Sequence, residues 1–235
     1  MSFTFKGYET ILDAFKHFGY FTTSFRKFDP LCNYQLLIRH DVDYFPENCL
    51  KLMEIEEKYG YKSTFFFLLS SPFYNPLSNK IQELFKEIHK RGFNIGLHYD
   101  FEAKIFNSSI NHQGLIREIL DGEFDIYSDH KPRKFGMKQY DGMHIKSTYE
   151  KHYAWDSKYL TDSNREWKYG HPIDYLEECE ANRLLGRNIQ LLIHPIWYHE
   201  NEMNKNLSLL QLQVKAANMV LEIFKQDEKD YEEKK

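Results

Sequence analysis

The chain alternates apolar runs with amphipathic segments through its first hundred residues. The pattern predicts strands at 36–43, 62–69 and 93–98 and helices at 46–58 and 81–90. The continuous apolar run at 65–69 is typical of a strand covered on both faces. Gly60 and Gly92 suit the ends of the two helices. Strands that alternate with helices predict a parallel sheet joined by right-handed crossovers.

The rest of the chain follows the same alternation less regularly. We predict helices at 8–18, 114–120, 173–185 and 207–224 and strands at 124–128, 153–155, 159–161 and 188–194. A length of 235 residues is ordinary for one α/β domain. We therefore expect a single domain over residues 1–235, with a core at about 34–199 between the helices at 8–18 and about 207–224.

Aspartate and histidine residues stand at the ends of the predicted strands. They are Asp41 and Asp43, His98, His194, and the pair Asp129 and His130. Side chains alternate along a strand, so Asp41 and Asp43 point to one side while His40 points to the other. The carboxyl ends of parallel strands are where α/β proteins build their sites. We therefore expect these groups to converge.

The residue types at the strand ends indicate a metal site. Imidazole and carboxylate groups without cysteine suit Zn²⁺ or a similar divalent ion that keeps one position open for water. Two adjacent carboxylates also need a cation or a proton between them. The structural alternatives are that Asp43 caps a helix starting near Pro46 and that each histidine is simply hydrogen-bonded in place. We predict a metal-assisted hydrolytic site.

Charge and composition narrow the class of protein. The net charge is -4 with interspersed signs, so nucleic acid is not an expected partner. Three cysteines, at positions 32, 49 and 179, predict a reducing compartment rather than a disulfide framework. Residues 1–20 lack the apolar core of a signal peptide, and the run at 65–69 is too short to span a bilayer. We expect a cytoplasmic protein without membrane insertion; the sequence leaves its oligomeric state open.

Several segments resemble the NodB-homology polysaccharide deacetylases of carbohydrate esterase family 4. The resemblance covers roughly residues 34–199 and is best at 37–67, where a strand ending in aspartates precedes a helix and the segment Lys-Ser-Thr-Phe-Phe-Phe. Residues 93–98 are similar to the family's Glu-Ile-Gly-Asn-His strand, and residues 191–195 to its Leu-x-x-His motif. The resemblance implies an α/β, single-domain distorted (β/α)7 barrel of the glycoside hydrolase and deacetylase type. It also implies a zinc-type divalent metal and a hydrolase that removes acetyl groups from N-acetylated sugars.

The family's residue roles carry over to positions with the same motifs. The resemblance implies that Asp41 is the general base, that Asp43 and His98 are metal ligands, and that His194 is the general acid. Two departures stand out, because Val42 separates the aspartates that are usually adjacent and Glu102 replaces a second histidine. We take His130 as the third ligand because it follows a strand end. Asp100, Glu102 and His112 remain alternatives.

Three further residues are candidates for contacts around the site. Arg133, in a run that loosely resembles the family's Arg-x-Pro motif, is expected to orient the base. Asp162 either supports the site from behind or belongs to a turn. Trp197 either lines a sugar subsite or packs in the core.

The function that we predict is deacylation of an N-acylated sugar or saccharide precursor, in the setting of surface-glycan biosynthesis. A catalytically silent carbohydrate-binding protein of the same fold is one alternative, because the second histidine is missing. A glycosyltransferase that holds Mn²⁺ through Asp-x-Asp is the other, although only some forty residues precede Asp41.

Overall fold

The described residues are organised around one sheet of eight parallel strands. The fold is known from a computed structural model, which describes residues 2–100, 112–120, 122, 126–131 and 146–232. The strands are β1 (Phe21–Thr22), β2 (Gln35–Val42), β3 (Thr64–Leu68), β4 (Asn94–Tyr99), β5 (Ile126–Asp129), β6 (Lys146–Ser147), β7 (Lys158–Thr161) and β8 (Ile189–Ile193). The α-helices are α1 (Phe5–His17), α2 (Asn48–Lys58), α3 (Asn79–Lys90), α4 (His112–Ile119), α5 (Lys151–Ala154), α6 (Pro172–Ala181) and α7 (Lys205–Glu232).

The strands lie in the order β6, β5, β4, β3, β2, β8, β7, and β1 pairs with the start of β2. The sheet curls into a half-barrel. The curl is visible in the contact between Arg39 on β2 and Thr148 just after β6, whose Nη1 and Oγ1 atoms lie 2.8 Å apart. Three strands separate β2 from β6 in the sheet, so a flat sheet could not bring these atoms together. The predicted α/β fold with a curled parallel sheet is confirmed.

The two faces of the sheet bury different kinds of side chain. The outer face packs under the helices in a large apolar cluster that includes Ile38, Phe65, Leu97, Leu52 and Phe85. The inner face has a small apolar floor formed by Phe25, Leu37, Phe66, Ile126 and Tyr153. Side chains alternate between the two faces of a strand. The inner-face residues that follow the apolar floor towards the carboxyl ends of the strands are polar. The inner face therefore has an apolar floor and, next to it, a layer of buried polar groups.

Gly96 on β4 is required by this inner packing. A Cβ atom at Gly96 would lie 2.5 Å from the ring of Phe66 on the neighbouring strand. Any larger residue would push the ring out of the floor or displace β4, because atoms cannot approach so closely. His98, two residues further along, depends on β4 keeping this position.

Most of the predicted elements are present with shifted ends, and one is wrong. The expected strand at 153–155 is a single helical turn, α5, in which the backbone N–H groups of Tyr153 and Ala154 donate to Glu150. The aromatic residues of this segment suggested a strand. In the structure the ring of Tyr153 fills the inner floor from a helical turn. The short strands β1 and β6 were not predicted.

Some sequence-based candidates lie outside the described residues. Glu102 and Arg133 belong to this group, and the side chain of His112, at the start of α4, is not described. Within the described part of the chain, no helix has both the length and the apolar composition needed to cross a bilayer.

Candidate metal centre

Three potential metal-ligating atoms meet at the carboxyl ends of β2, β4 and β5. Asp43 Oδ1 lies 3.2 Å from His98 Nε2 and 3.2 Å from His130 Nδ1. The two ring nitrogens are 3.1 Å apart. The structure thus brings together the three side chains that the sequence suggested as ligands, as a group that could hold a metal ion.

The spacing of these atoms fits a small divalent cation. Tetrahedral bonds of about 2.0–2.1 Å place neighbouring ligand atoms about 3.3 Å apart. The three distances between Asp43 Oδ1, His98 Nε2 and His130 Nδ1 are close to this value, and we call these three atoms the ligand triangle. Asp43 Oδ1 is buried, and its geometry towards both rings is poor for a hydrogen bond. A cation above the triangle would satisfy this oxygen and leave a position open for water or substrate.

His98 is oriented so that its free nitrogen points into the centre. Its Nδ1 lies 3.1 Å from the carbonyl oxygen of Ser128, which can only accept a hydrogen bond. Nδ1 must therefore carry the hydrogen, and the lone pair of the neutral ring is on Nε2, which faces Asp43. His130 is fixed by its backbone N–H, which donates to Tyr99 O at 2.7 Å.

In the metal-free centre the surroundings of Asp43 and His98 favour the charged forms of these two side chains. Burial opposes ionisation of Asp43, but attraction to His98 and the close contacts with the two histidines hold the pKa of its carboxyl well below the usual range. Burial lowers the pKa of His98, but Asp41 and Asp43 outweigh it and raise that pKa overall. Protonation of His98 therefore competes with the binding of a cation at this centre.

Asp41 lies beside the triangle but is held by an arginine. Its Oδ2 is 3.9 Å from His98 Nε2. Arg39, two residues earlier on the same inner face, donates from Nε to Oδ1 at 2.8 Å and from Nη2 to Oδ2 at 2.7 Å. Burial raises the pKa of Asp41, but the arginine outweighs it and the pKa is lowered overall. Asp41 is therefore a carboxylate rather than a carboxylic acid.

Arg39 is fully buried and surrounded by acceptors. Besides Asp41, it donates to Thr148, Gln190, Ser128 and Tyr149. Ser128 in turn donates to the Asp41 carboxylate at 3.1 and 3.2 Å. Its carbonyl is also the acceptor for His98, so one residue connects the arginine, the carboxylate and a candidate ligand.

His194 follows β8 and is paired with Asp162, which follows β7. Asp162 is completely buried, and its Oδ1 lies 2.6 Å from His194 Nδ1. The backbone N–H of His194 also donates to both carboxylate oxygens. Burial lowers the pKa of His194, but attraction to Asp162 and the hydrogen bond outweigh it and raise the pKa to about 9. Asp41 and Asp43 contribute to the same increase, which places this imidazole within the field of the centre.

Two other candidates lie apart from the triangle. Asp100 accepts a hydrogen bond from Ser70 Oγ at 3.0 Å and is not part of the ligand group. Trp197 is buried in the outer apolar cluster, and its backbone N–H donates to His194 O at 3.1 Å. A contact between Trp197 and substrate stays a prediction.

Sequence reasoning did not assign Arg39 or Ser128. A signal for Arg39 was available, because strand alternation puts positions 39, 41 and 43 on one face. No local signal marks Ser128, whose partners Asp41 and Arg39 lie more than eighty residues away along the chain.

Comparisons with known proteins give likenesses only among solved structures. No protein-family model matches the sequence, and no curated protein matches it. A mutant of the peptidoglycan deacetylase PdaC from Bacillus subtilis is 16% identical, with a TM-score of 0.44 over 88% of this chain and 98% of that one. The chitin deacetylase of the fungal pathogen Colletotrichum lindemuthianum is 16% identical, with a TM-score of 0.42 over 79% and 85%.

A third solved structure is a mutant of a CE4 family pseudoenzyme with restored enzymatic activity. It is 14% identical, with a TM-score of 0.41 over 81% of this chain and 65% of that one. Structurally, the chain is similar to polysaccharide deacetylases. They are the group whose motifs the sequence resembles. At this level of identity the likeness does not transfer a substrate, so the chemistry follows from the side chains.

Proposed function

We propose that this protein is a metal-dependent hydrolase that removes an acetyl or similar acyl group from an N-acylated sugar. The observation that carries the proposal is the convergence of Asp43 Oδ1, His98 Nε2 and His130 Nδ1 within 3.2 Å of one another. The ionised carboxylate of Asp41 lies beside them, and Asp41 and Asp43 both contribute to the raised pKa of the His194 imidazole. A metal site flanked by one base and one acid is what amide hydrolysis requires.

The metal centre is assigned to Asp43, His98 and His130. A divalent ion bound there supplies Lewis-acid activation of water and of the scissile carbonyl. We propose zinc, because two imidazoles and one carboxylate in a three-ligand set are typical of catalytic zinc. The lone pair of His98 Nε2, fixed by the Ser128 carbonyl, favours this assignment.

Asp41 is assigned as the general base. The bidentate contact with Arg39 holds its carboxylate in one orientation and keeps it ionised at neutral pH. Its Oδ2 lies 3.9 Å from His98 Nε2, next to the proposed ligands. It accepts the proton of the attacking water there.

His194 is assigned as the general acid. Asp162 occupies Nδ1, so the transferable proton of the imidazolium is on Nε2. A pKa of about 9 keeps the ring protonated at neutral pH, ready to protonate the departing amine. Asp162 is therefore a positioning residue that orients the His194 ring and favours its protonated form.

The substrate class and the location are parts of the same proposal. The motifs at 37–67, 93–98 and 191–195 support an N-acetylated sugar or saccharide precursor, in the setting of surface-glycan biosynthesis. Three free cysteines support a reducing, cytoplasmic location. Fractionation of cells that express the full-length protein tests the location.

The geometry does not favour the glycosyltransferase alternative. In an Asp-x-Asp transferase both carboxylates would serve one nucleotide-bound cation. Here Asp41 is occupied by Arg39, and Asp43 faces two imidazoles. A catalytically silent carbohydrate-binding protein would keep the metal group but release no acetate, so the experiment below distinguishes it.

The test combines metal content with acetate release. We expect the purified chain to hold about one zinc per chain by elemental analysis and to release acetate from an N-acetylglucosamine oligosaccharide. Chelation should abolish the release, and zinc should restore it. Asp43→Asn should lose both metal and activity, whereas Asp174→Asn, a matched change of an exposed carboxylate on α6, should lose neither. Metal retention by Asp43→Asn would refute the ligand assignment, and sugar binding without acetate would refute the enzyme.

A further inference from the structure

Helix α7 carries a stripe of exposed apolar side chains, which we call the α7 seam. The seam consists of Leu207, Leu210, Val214, Ala217, Leu221 and Phe224. Its five large members are between 47% and 63% exposed, and Ala217 is exposed as well. Single exposed apolar residues are common, but a continuous stripe of this kind marks an interaction surface.

The spacing of the seam identifies the type of surface. Its positions are separated by three, four, three, four and three residues. This 3.5-residue period is the pattern by which one helix packs along another, with each side chain entering a gap on the facing helix. The seam extends from 207 to 224, about 27 Å along the helix axis.

The opposite face of α7 is already used to attach the helix to the sheet domain. Ser208 and Leu212 are buried there, and Leu212 lies beside Phe45 and Phe73. Lys215 forms an ion pair with Glu47. At 100° per residue, positions 208 and 212 lie on the far side of the helix from 210, 214 and 221. The seam therefore points away from the body that holds the helix.

We propose that the α7 seam is the contact between two copies of this chain, paired antiparallel about a twofold axis. In this register Leu207 faces Phe224 of the second copy, and Leu210 faces Leu221. Val214 faces Ala217 at the axis. A twofold contact requires a surface that complements itself, and a seam with large residues at both ends and the smallest in the middle does so when reversed.

The residues that flank the seam support a second copy as the occupant. Asn206, Gln211, Gln213 and Asn218 border it and are uncharged, and in this register Lys225 lies beside Asn206 of the second copy rather than beside another lysine. A helix of this kind meets its own image without opposing like charges, whereas partner-selective helix pairs carry charges at these positions. A seam about 27 Å long on a single helix buries a small area compared with most stable interfaces. We therefore expect a reversible dimer with a dissociation constant in the micromolar range.

The first test measures mass as a function of concentration for the full chain by analytical ultracentrifugation. We expect a monomer–dimer equilibrium. Leu210→Glu should raise the dissociation constant about 100-fold or more, because the twofold axis places the change in the contact twice. Leu184→Glu, at a 65% exposed leucine outside α7, should leave the equilibrium unchanged. Circular dichroism should show the same helical content in both variants.

The second test determines the direction of pairing by cysteine cross-linking. In a background with Cys32→Ser, which removes the exposed native thiol, Leu210→Cys and Leu221→Cys are prepared separately. We expect an intermolecular disulfide when the two proteins are mixed and none when either is oxidised alone. A disulfide between two copies of Leu210→Cys would show parallel pairing and overturn the proposed arrangement.

Two results would overturn the dimer itself. One is a monomer at every concentration up to about 100 µM, a range in which a micromolar contact would be populated. The other is a monomeric chain that sediments with vesicles of phosphatidylcholine and phosphatidylglycerol and loses this binding in Leu210→Glu. The seam would then bind lipid rather than a second copy.

Discussion

Strand β2 carries a buried group of ionisable side chains on each of its two faces, and the two groups differ in the atoms that surround them. On the inner face Arg39 and Asp41 form a bidentate pair. On the outer face His40 Nε2 lies 2.6 Å from Glu56 Oε1, which also accepts a hydrogen bond from Tyr8 at 2.8 Å. Arg39, His40 and Glu56 are all completely buried. Burial and charge alone therefore do not distinguish a site from a structural contact.

The distinction lies in the neighbouring atoms. The outer group is enclosed by rings, with His40 stacked on Phe65 at 4.5 Å and Tyr8 against Tyr198 at 5.6 Å. The inner group continues through Ser128 into His98 and Asp43, where ligand atoms face each other. Ligand atoms that converge next to an ionised base indicate chemistry, whereas a histidine–glutamate contact packed among aromatic rings between the sheet and the helices indicates architecture.

The largest effect is expected from Arg39→Met, because methionine removes the cationic partner of Asp41 and offers no hydrogen-bond donor in its place. A buried carboxylate left without its cation costs about 3–5 kcal/mol in the free energy of unfolding. Activity should fall too, because Asp41 loses its orientation. Urea denaturation measures the first effect and acetate release the second. Adding Asp41→Leu to Arg39→Met should recover part of the stability but no activity; without such recovery, the pair is not the source of the loss.

The next effect in size is expected from changes to the proposed base and acid. Asp41→Asn and His194→Gln should each lower kcat about 10²- to 10⁴-fold, because each removes one proton-transfer step. Neither residue belongs to the ligand triangle, so metal content should stay at the wild-type level in His194→Gln. An activity loss accompanied by loss of metal in that variant would mean that His194 holds the metal instead.

Strand alternation allowed part of this site to be derived from the sequence. It places Asp41 and Asp43 on the inner face and His40 on the outer face, and the parallel order brings the ends of β2, β4 and β5 together. The same rule would have placed Arg39 beside Asp41. Its role was missed because an arginine in a strand has no recognisable motif until its acceptors, such as Thr148, are known.

The pairing of Asp162 with His194 could not be predicted from local patterns. Asp162 follows a four-residue strand and precedes a short 3-10 helix, which is also what a turn aspartate would do. Its partner becomes evident only from the strand order, because β7 pairs with β8 in a register that sets Thr161 beside Leu192. The error at 153–155 has a similar cause, since three residues are too few to separate one helical turn from a strand.

A moderate effect with a pH signature is expected from Asp162→Asn. The variant should lower activity about 10- to 100-fold, because Asn still accepts from His194 Nδ1 but no longer favours the charged ring. In the metal-free wild-type chain the pKa of His194 is about 9, above the ordinary value of about 6.5. Its stabilisation is therefore complete below about pH 6.5 and is lost as the pH rises through about 9.

The measurement is urea denaturation of metal-free protein between these two pH values. Wild type should lose more stability than Asp162→Asn over this interval, and the difference isolates His194 from the other histidines. Equal slopes in the two proteins would show that Asp162 does not set the charge of His194.

The smallest effect is expected on the outer face, where Tyr8→Phe removes one hydrogen bond to Glu56 and keeps the ring packing. The free energy of unfolding should fall by about 1 kcal/mol, the usual net value of such a bond. kcat and metal content should not change, because the outer group lies across the sheet from the metal centre. Ile11→Val, another change to a buried α1 side chain, is the matched control for a purely apolar loss. A fall in kcat with Tyr8→Phe but not with Ile11→Val would show that the two faces of β2 are coupled, and that the outer group contributes to the chemistry.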